Sequence, residues 1–279
     1  MTPEDSERLM QDHQEYDDDL IAVLESVWGK GFMSPGGSAE VDRVLDGLDL
    51  SGLTILDIGC GLGGATVHIA QAYGPNKVIG IDIEDNLIDR CRQLAARAGT
   101  GENVEFLKVE PGPLPVAGGS LDVVFSKDSI IHIADKDALA SDIFRALKPG
   151  GWFAASDWLA GYTDQPSPEM QAYVEAEGLD FGLASAATYE QAIKSAGFVD
   201  ITLSDRNDWY KQEARLERDN MKGSLYANLE STVGTTFLEH EIDVWDKMIV
   251  ALDQGQLLSL IHISEPTRLL VQSRMPSSA

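Results

Sequence analysis

Cysteine is almost absent from this sequence, with only Cys60 and Cys91 among 279 residues. Two cysteines make neither a disulfide framework nor a thiolate metal site, which excludes the class of small disulfide-stapled domains. Basic residues are also few, because 21 Lys and Arg stand against 46 Asp and Glu for a net charge of −25. A field of that sign repels phosphate backbones and anionic lipids. We therefore expect a small molecule as partner, and neither nucleic acid nor a membrane surface.

Long apolar runs are missing as well, since no stretch approaches the ~20 residues that span a bilayer. The first twenty residues are acidic and lack the basic and apolar regions of a secretory leader, so no signal peptide is predicted. Together with the scarcity of cysteine, these features predict a cytoplasmic protein. Apolar residues make up 43% of the chain, which is an ordinary globular composition.

Short apolar runs alternate with helical patterns through the middle of the chain. The predicted strands are residues 53–58, 77–82, 104–108, 121–126 and 151–157, and the predicted helices between them are 65–73, 84–98 and 136–147. Such alternation is typical of the α/β class with a doubly wound, Rossmann-like parallel sheet covered by helices on both faces.

The flanking segments follow other patterns. Residues 1–50 are predicted to form N-terminal helices that serve as a lid, and residues 51–257 the main domain, with a lid insertion at about 160–187. The predicted elements of the later part are helices at 168–183 and 188–196, a strand at 199–204 and a mostly helical stretch at 208–253.

The last segment, residues 258–279, differs in character. Its first part, Leu-Ser-Leu-Ile-His-Ile-Ser-Glu-Pro-Thr-Arg at 258–268, resembles the translation of a transposon-type sequencing adapter. We therefore interpret residues 258–279 as an artefactual tail and exclude them from fold reasoning, as one would a cloning scar. A chain with this tail is expected to be less stable than one with a natural tail.

A glycine cluster joins the first predicted strand to the first helix. Glycines let the backbone approach a ligand closely, and the helix N-terminus behind them offers free N–H groups. Gly59, Gly61 and Gly64 have the spacing of a dinucleotide-binding loop, and Asp82 follows about twenty residues later. A nicotinamide-dependent oxidoreductase is thus one interpretation of this loop.

The run Leu56-Asp57-Ile58-Gly59-Cys60-Gly61-Leu62-Gly63 also resembles motif I of the class I methyltransferases, which bind S-adenosyl-L-methionine. Leu147-Lys148-Pro149-Gly150-Gly151 precedes the fifth strand as in that superfamily, and the resemblance covers residues 50–160. It implies a class I fold that usually finishes with an antiparallel strand, here either lost or supplied by residues 269–273. The implied cofactor contacts are Asp57, Gly59, Gly61, Gly63, Asp82, Ile83 and Glu110.

Further segments resemble the phosphoethanolamine N-methyltransferases between Tyr16 and Trp158, namely 31–37, 126–132 and 156–158. This resemblance implies that Tyr16 and His132 form a catalytic latch over the substrate. It also implies that Met33, Ser34 and Lys127 contact the cofactor, and that Asp128, Trp158 and Tyr173 contact the substrate. Packing is the alternative role for Trp158 and Tyr173, and helix capping for Asp128.

The sequence departs from that family at its phosphate site. Glu177 and Leu179 stand where the family carries an arginine and a tyrosine. A carboxylate facing a phosphate is repulsive, and Lys247 or Arg206 are the candidate replacements. Sarcosine and dimethylglycine, the precursors of betaine, are therefore alternative acceptors.

The predicted chemistry is methyl transfer from a sulfonium to an amine nitrogen. The amine must lose a proton, and His132 is the natural base because an unperturbed imidazole titrates near pH 6.5. Asp128 would hold the amine, while Tyr16 would close the site. No metal site is predicted. A cofactor-binding protein without catalytic activity is the alternative from another functional class.

Overall fold

The computed structural model describes residues 16–178 and 181–265, and a seven-stranded sheet organises them. The strands are β1 (Thr54–Ile58), β2 (Lys77–Asp82), β3 (Val104–Lys108), β4 (Leu121–Lys127), β5 (Leu147–Ala160), β6 (Val199–Asp205) and β7 (Leu257–Glu265). Their order is β3-β2-β1-β4-β5-β7-β6, and β7 alone runs antiparallel to its neighbours. The order in which the strands are connected reverses between the parallel strands β1 and β4, and this switch point creates the crevice where such sheets bind ligands.

Helices cover both faces of the sheet. They are α1 (Asp18–Trp28), α2 (Gly37–Val44), α3 (Gly64–Ala72), α4 (Asp85–Ala98), α5 (Lys136–Ala146), α6 (Pro168–Glu177), α7 (Ala186–Ala196), α8 (Asn207–Lys222), α9 (Tyr226–Val233) and α10 (Thr235–Asp253). The predicted α/β doubly wound fold is thereby confirmed. No helix within residues 16–178 and 181–265 is long and apolar enough to cross a bilayer.

Neighbouring residues of the central strands fill two separate cores. Leu56 and Val124 pack with α5 and α7 on one face, whereas Ile55 and Val123 pack with α2 and α3 on the other. This division follows from the alternation of side chains along a strand. Because both faces are buried, the central strands are nearly continuous apolar runs, which is why the sequence shows them clearly.

A third core, called the lid core below, lies away from the sheet faces, among the predicted lid helices and the late helices of the chain. It joins side chains of α1, α6, α8, α9 and α10, and its buried members include Leu24, Tyr173, Tyr210, Leu238 and Trp245. The predicted N-terminal and inserted lid helices therefore pack with the late helices in one cluster.

Two helical elements differ from the predictions in their bounds, and one strand differs in its position. Helix α6 ends at Glu177, because Gly178 adopts a left-handed conformation (φ 72°) that caps it; the predicted end was residue 183. The stretch 208–253 is divided into α8, α9 and α10 by breaks that include Gly223 and Gly234.

The closing antiparallel strand lies at Leu257–Glu265. The expectation that this strand is lost was therefore wrong, and so was the alternative position, residues 269–273. Residues 269–273 lie outside the described part of the chain. The apolar alternation of 257–265 suffices to pair this segment with β5 and β6. The adapter origin of residues 258–279 stays a prediction.

Candidate active site

A cavity of about 830 Å³ opens where β1, β2 and β4 end. The loop after β1 and Asp82 of β2 line this cavity together with the turn after β4, Tyr16 and Met33. A cavity of this size accommodates a ligand as large as a nucleoside together with a small second molecule.

The glycine loop forms the floor of this cavity. The N–H groups of Gly59 and Cys60 both donate to the carbonyl of Ile81, at 2.9 and 3.0 Å, which ties the loop to β2. Gly59 has a φ of +68°, and a Cβ at this position would lie 1.6 Å from the Ser129 Oγ. Only glycine therefore allows the loop to pass the turn after β4 so closely.

Gly63 has a different role from the other predicted glycines. It does not line the cavity but precedes α3 with a φ of +84°, and an added Cβ would lie 3.1 Å from the Cys91 Sγ. Cys91 in turn donates its thiol hydrogen to the carbonyl of Gly61, at 2.9 Å. Gly63 and Cys91 thus fix the shape of the loop from behind.

Two carboxylates at the ends of neighbouring strands hold the loop region: Asp57, which is buried, and Asp82, which is partly buried. Asp57 accepts a hydrogen bond from the Thr66 hydroxyl at 2.5 Å, and burial raises the pKa of this carboxyl to about 7. Asp82 accepts from the N–H groups of Gly61 at 2.8 Å and Glu84 at 3.1 Å. Burial raises the pKa of Asp82 as well, although these bonds and His132 oppose the shift.

Ile83 and Glu110 complete the predicted cofactor set at the mouth of the cavity. Ile83 is 47% exposed, which is unusual for a large apolar residue and leaves its side chain available to a flat ligand. Glu110 lies on the same rim and forms an ion pair with Lys108.

Lys127 and Asp128, at the end of β4, also line the cavity. Lys127 is buried, and its Nζ donates to the Ser34 Oγ at 2.5 Å, the Pro35 carbonyl at 2.7 Å and the Asp128 Oδ2 at 2.9 Å. Asp128 has a φ of +53°, a strained conformation for a residue other than glycine. Its Oδ1 accepts from the Ser156 hydroxyl at 3.3 Å. Lys127 thereby connects Asp128 to the loop that carries Met33 and Ser34.

His132 and Tyr16 meet the same cavity from two distant parts of the chain. His132 ends a short turn of 3₁₀-helix, Ile130–His132, and its ring centroid lies 5.7 Å from that of Phe181. Tyr16 packs against the lid core, and its carbonyl accepts from the Asn86 amide at 3.1 Å. The structure therefore brings the predicted pair, together with Asp128, to the lining of one cavity.

Trp158 and Tyr173 do not line the cavity but lie behind its wall, in the lid core. The ring centroid of Trp158 is 4.5 Å from that of Tyr210, and the centroid of Tyr173 is 6.1 Å from that of Phe181. Their position agrees with the packing alternative, in which these two side chains support the cavity lining from behind.

The two cations considered for phosphate binding are both paired. Arg206 donates to both carboxylate oxygens of Glu40, at 2.8 and 2.9 Å, and Lys247 forms an ion pair with Asp243. Glu177 is half-buried in the lid, and burial raises its pKa to about 7. Leu179 lies outside the described residues.

Two polar contacts in this site were not predicted from the sequence. Thr66, the partner of Asp57, belongs to α3, and Ser129, the close neighbour of Gly59, follows β4. Spacing offers a signal only for Thr66, which lies on the first turn of the helix that follows the glycine loop. Within the described ranges, no group of three His, Cys, Asp or Glu side chains is arranged to hold a metal ion.

Comparison with known proteins agrees with this geometry. A family model described as a methyltransferase domain matches residues 49–211, which include the glycine loop and the turn with His132. The chain belongs to this methyltransferase family. Membership favours methyl transfer over the nicotinamide-dependent alternative.

The relatives of this methyltransferase include phosphoethanolamine N-methyltransferases. Phosphoethanolamine N-methyltransferase 1 of Triticum aestivum is 36% identical over 200 residues, which are 71% of this chain and 39% of the wheat protein. The chain thus spans about 40% of the length of the curated relatives that it matches most strongly.

Two solved structures have the same fold. Phosphoethanolamine N-methyltransferase 2 of Haemonchus contortus, in complex with phosphomonomethylethanolamine and S-adenosylhomocysteine, superposes with a TM-score of 0.84 at 25% identity. The match covers 92% of this chain and 60% of that one. A putative sarcosine dimethylglycine methyltransferase of Galdieria sulphuraria has a TM-score of 0.76 at 19% identity, covering 90% and 98% of the two chains.

Proposed function

We propose that this methyltransferase transfers a methyl group from S-adenosyl-L-methionine to the nitrogen of a small amine. The observation that carries the proposal is that Asp128, His132 and Tyr16 line the same cavity as the glycine loop and Asp82. A carboxylate, an imidazole and a phenol are the groups that bind an alkylammonium ion and take its proton.

The residues on the cofactor side fit S-adenosyl-L-methionine. The Asp82 carboxylate ends β2 on the cavity wall, where it can accept from ribose hydroxyls, and Gly61 exposes backbone with no side chain in the way. Ile83 offers an apolar surface to the adenine ring, and Glu110 a carboxylate for its amine. The solved Haemonchus relatives are complexes with S-adenosylhomocysteine or S-adenosyl-L-methionine, which supports the same assignment.

The bound cofactor supplies a methyl group on a positively charged sulfur. The acceptor nitrogen must offer a free lone pair, and an alkylammonium ion has none at neutral pH. His132 takes the ammonium proton, the lone pair forms the N–C bond, and the electron pair of the broken C–S bond stays on sulfur. His132 then releases the proton to solvent, while Asp128 holds the nitrogen and Tyr16 excludes water.

Phosphoethanolamine is the first candidate acceptor, on the strength of the 34–36% identity to plant enzymes of that name. A less strongly charged acceptor, such as sarcosine or dimethylglycine, is the second. It is favoured by the half-buried Glu177 and by the pairing of Arg206 and Lys247 with carboxylates.

The test is methyl transfer from labelled S-adenosyl-L-methionine to ethanolamine phosphate, sarcosine and dimethylglycine in parallel. Turnover of one of these amines is expected, and its identity decides between the two candidates. The His132→Ala variant is expected to lose turnover while keeping its affinity for S-adenosylhomocysteine. A variant that keeps full turnover would remove His132 as the base. If no amine is methylated although S-adenosylhomocysteine binds, the non-catalytic alternative gains.

A further inference from the structure

The turn that carries His132 is held by two buried charged side chains from outside the cavity. Asp157 of β5 is 4% exposed, and its Oδ1 accepts from the N–H of Ile131 at 3.1 Å. Lys136 of α5 is 6% exposed, and its Nζ donates to the carbonyls of Ile130 at 2.7 Å and Ile133 at 2.5 Å. The backbone on both sides of His132 is thus bound to side chains that are almost completely buried.

These contacts leave the turn little freedom. The remaining polar group of Ile131, its carbonyl, accepts from the N–H of Gly182 at 2.7 Å. Asp157 is itself oriented by Tyr189 of α7, whose hydroxyl donates to the Oδ2 at 3.1 Å. Strand, helix and lid connection therefore all converge on the segment 130–133.

Apolar side chains at positions 136 and 157 would fill the same space at a lower cost in solvation free energy. A buried charge loses several kcal/mol of solvation, and apolar replacements of buried ion pairs are often neutral or stabilising. The charges of Lys136 and Asp157 attract each other. The hydrogen bonds of the Lys136 Nζ and the Asp157 Oδ1, however, go to the backbone of the turn. A requirement for the position of the turn explains why both are present.

We propose that Lys136 and Asp157 are positioning residues for methyl transfer, which hold the His132 imidazole in line with the acceptor nitrogen. The inference rests on the proposed role of His132 as base. Displacement of a catalytic group by about 1 Å lowers rates on the order of a hundredfold. Loss of one contact should therefore act on the rate of transfer and leave cofactor binding intact, because the glycine loop and Asp82 are bound to other partners.

The experiment compares Lys136→Met, which removes all donors, with Lys136→Arg, which keeps them. Lys148→Met is the control for loss of a lysine charge, since Lys148 forms an ion pair with Asp122 at the start of β5, whereas Asp157 lies near the other end of that strand. We expect kcat to fall tenfold to a hundredfold in Lys136→Met, with a partial return in Lys136→Arg, and the dissociation constant of S-adenosylhomocysteine to change less than twofold. The control should resemble the wild type.

A second readout does not depend on turnover. The protein labelled with ¹³C-histidine has five imidazoles, and His132→Gln assigns the signal of His132. Lys136→Met should move that signal while those of His68 and His240 stay in place, whether or not the tested amine is a substrate. An unmoved His132 signal, or a kcat that falls only in parallel with cofactor affinity, would overturn the proposal.

Tyr189→Phe provides a milder variant in case Lys136→Met does not fold. It keeps the ring and removes one hydrogen bond to Asp157. We expect a threefold to tenfold lower kcat, an unchanged KM for S-adenosyl-L-methionine and a smaller shift of the His132 signal. Wild-type kcat together with an unmoved signal would count against the proposal. Absence of methyl transfer in the wild type would instead refute the proposed function, with the His132 signal still testing the positioning.

Discussion

The two ends of the cavity, the proposed cofactor end and the proposed acceptor end, are lined by different kinds of groups. The cofactor end consists mainly of backbone, because Gly59, Gly61 and the strand ends bring peptide groups to the wall, with Asp82 as the principal charged side chain. The acceptor end consists of side chains from separate segments, among them Tyr16, Asp128 and His132. A backbone surface depends on a short run of sequence, whereas a side-chain surface depends on packing between distant elements.

This difference has a consequence for evolution within the family. The lid core holds the carboxylates of Glu177, Glu217 and Glu241, and burial raises the pKa of each to about 7. We expect changes of charge there to alter the choice of acceptor and to leave the cofactor loop unchanged. The comparison therefore predicts that damage to the loop abolishes all chemistry, while damage to the lid alters stability and selectivity.

The largest expected effect is that of Gly59→Ala. The added methyl would stand 1.6 Å from the Ser129 Oγ at a φ of +68°, so the loop and the turn after β4 must separate. We expect the affinity for S-adenosylhomocysteine to fall more than a hundredfold by calorimetry. The control is Gly74→Ala, which has a φ of +61° but nothing within 4 Å, and carries only the backbone strain of about 1–2 kcal/mol.

If Gly59→Ala and Gly74→Ala bind equally well, the loop tolerates displacement. The backbone description of the cofactor end would then fail.

The pH dependence of stability tests the lid end. Glu217 accepts from Trp28 Nε1 at 2.7 Å and Trp245 Nε1 at 3.0 Å, and burial raises its pKa to about 7, above that of the unfolded chain. Between about pH 4.5 and 7 the folded state therefore holds a proton that the unfolded state has lost, so stability falls as pH rises through this range. We expect the melting temperature to be higher at pH 6 than at pH 8.

The Glu217→Gln variant should have a smaller difference between the two pH values, whereas Glu239→Gln, at an exposed position, should keep the wild-type difference. A melting temperature that rises toward pH 8 in all three proteins would contradict the assignment.

The same contrast explains how much could be predicted from the sequence. The sheet, the glycine loop and Asp82 were predicted because each is a local pattern: two-sided burial makes apolar runs, and tight turns require glycine. The pairing of Asp57 with Thr66 and of Glu217 with two tryptophans was not, because these contacts join elements whose relative placement no local pattern specifies. Trp158 and Tyr173, predicted as substrate contacts with packing as the alternative, lie in the lid core, and aromatic side chains serve both roles.

A smaller effect is expected from Glu177→Gln, which keeps the size of the side chain and removes its charge. Burial raises the pKa of Tyr173 and of Tyr210, and the Glu177 carboxylate adds to both shifts, so its charge acts on the interior of the lid. Removing it should favour an anionic acceptor by on the order of 1 kcal/mol, or about fivefold in kcat/KM for ethanolamine phosphate. Glu175→Gln, on the exposed side of the same helix, is the control.

An equal rise of kcat/KM with sarcosine and with ethanolamine phosphate would mean that Glu177 does not discriminate by charge. The acceptor end would then select by shape alone.

The smallest effect concerns β7, whose side chains fit the sheet less well than those of its neighbours. Both ring nitrogens of His262 and the hydroxyl of Ser264 are buried without a hydrogen-bond partner, and burial lowers the pKa of His262 to about 3. Leaving a buried polar group unsatisfied costs about 1–3 kcal/mol, so His262→Leu should stabilise the protein and raise its melting temperature by about 2–6 °C.

The gain should increase below pH 6.5, because the unfolded imidazole takes up a proton there that the folded one does not. Thr202→Leu, on the paired edge strand β6, serves as the control for added apolar surface. In a strand that evolved together with its sheet, buried polar groups are expected to have hydrogen-bond partners. A stabilising effect of His262→Leu would therefore agree with the adapter interpretation of residues 258–279. Destabilisation would indicate instead that the imidazole belongs to this core, where its ring lies 4.9 Å from that of Phe153.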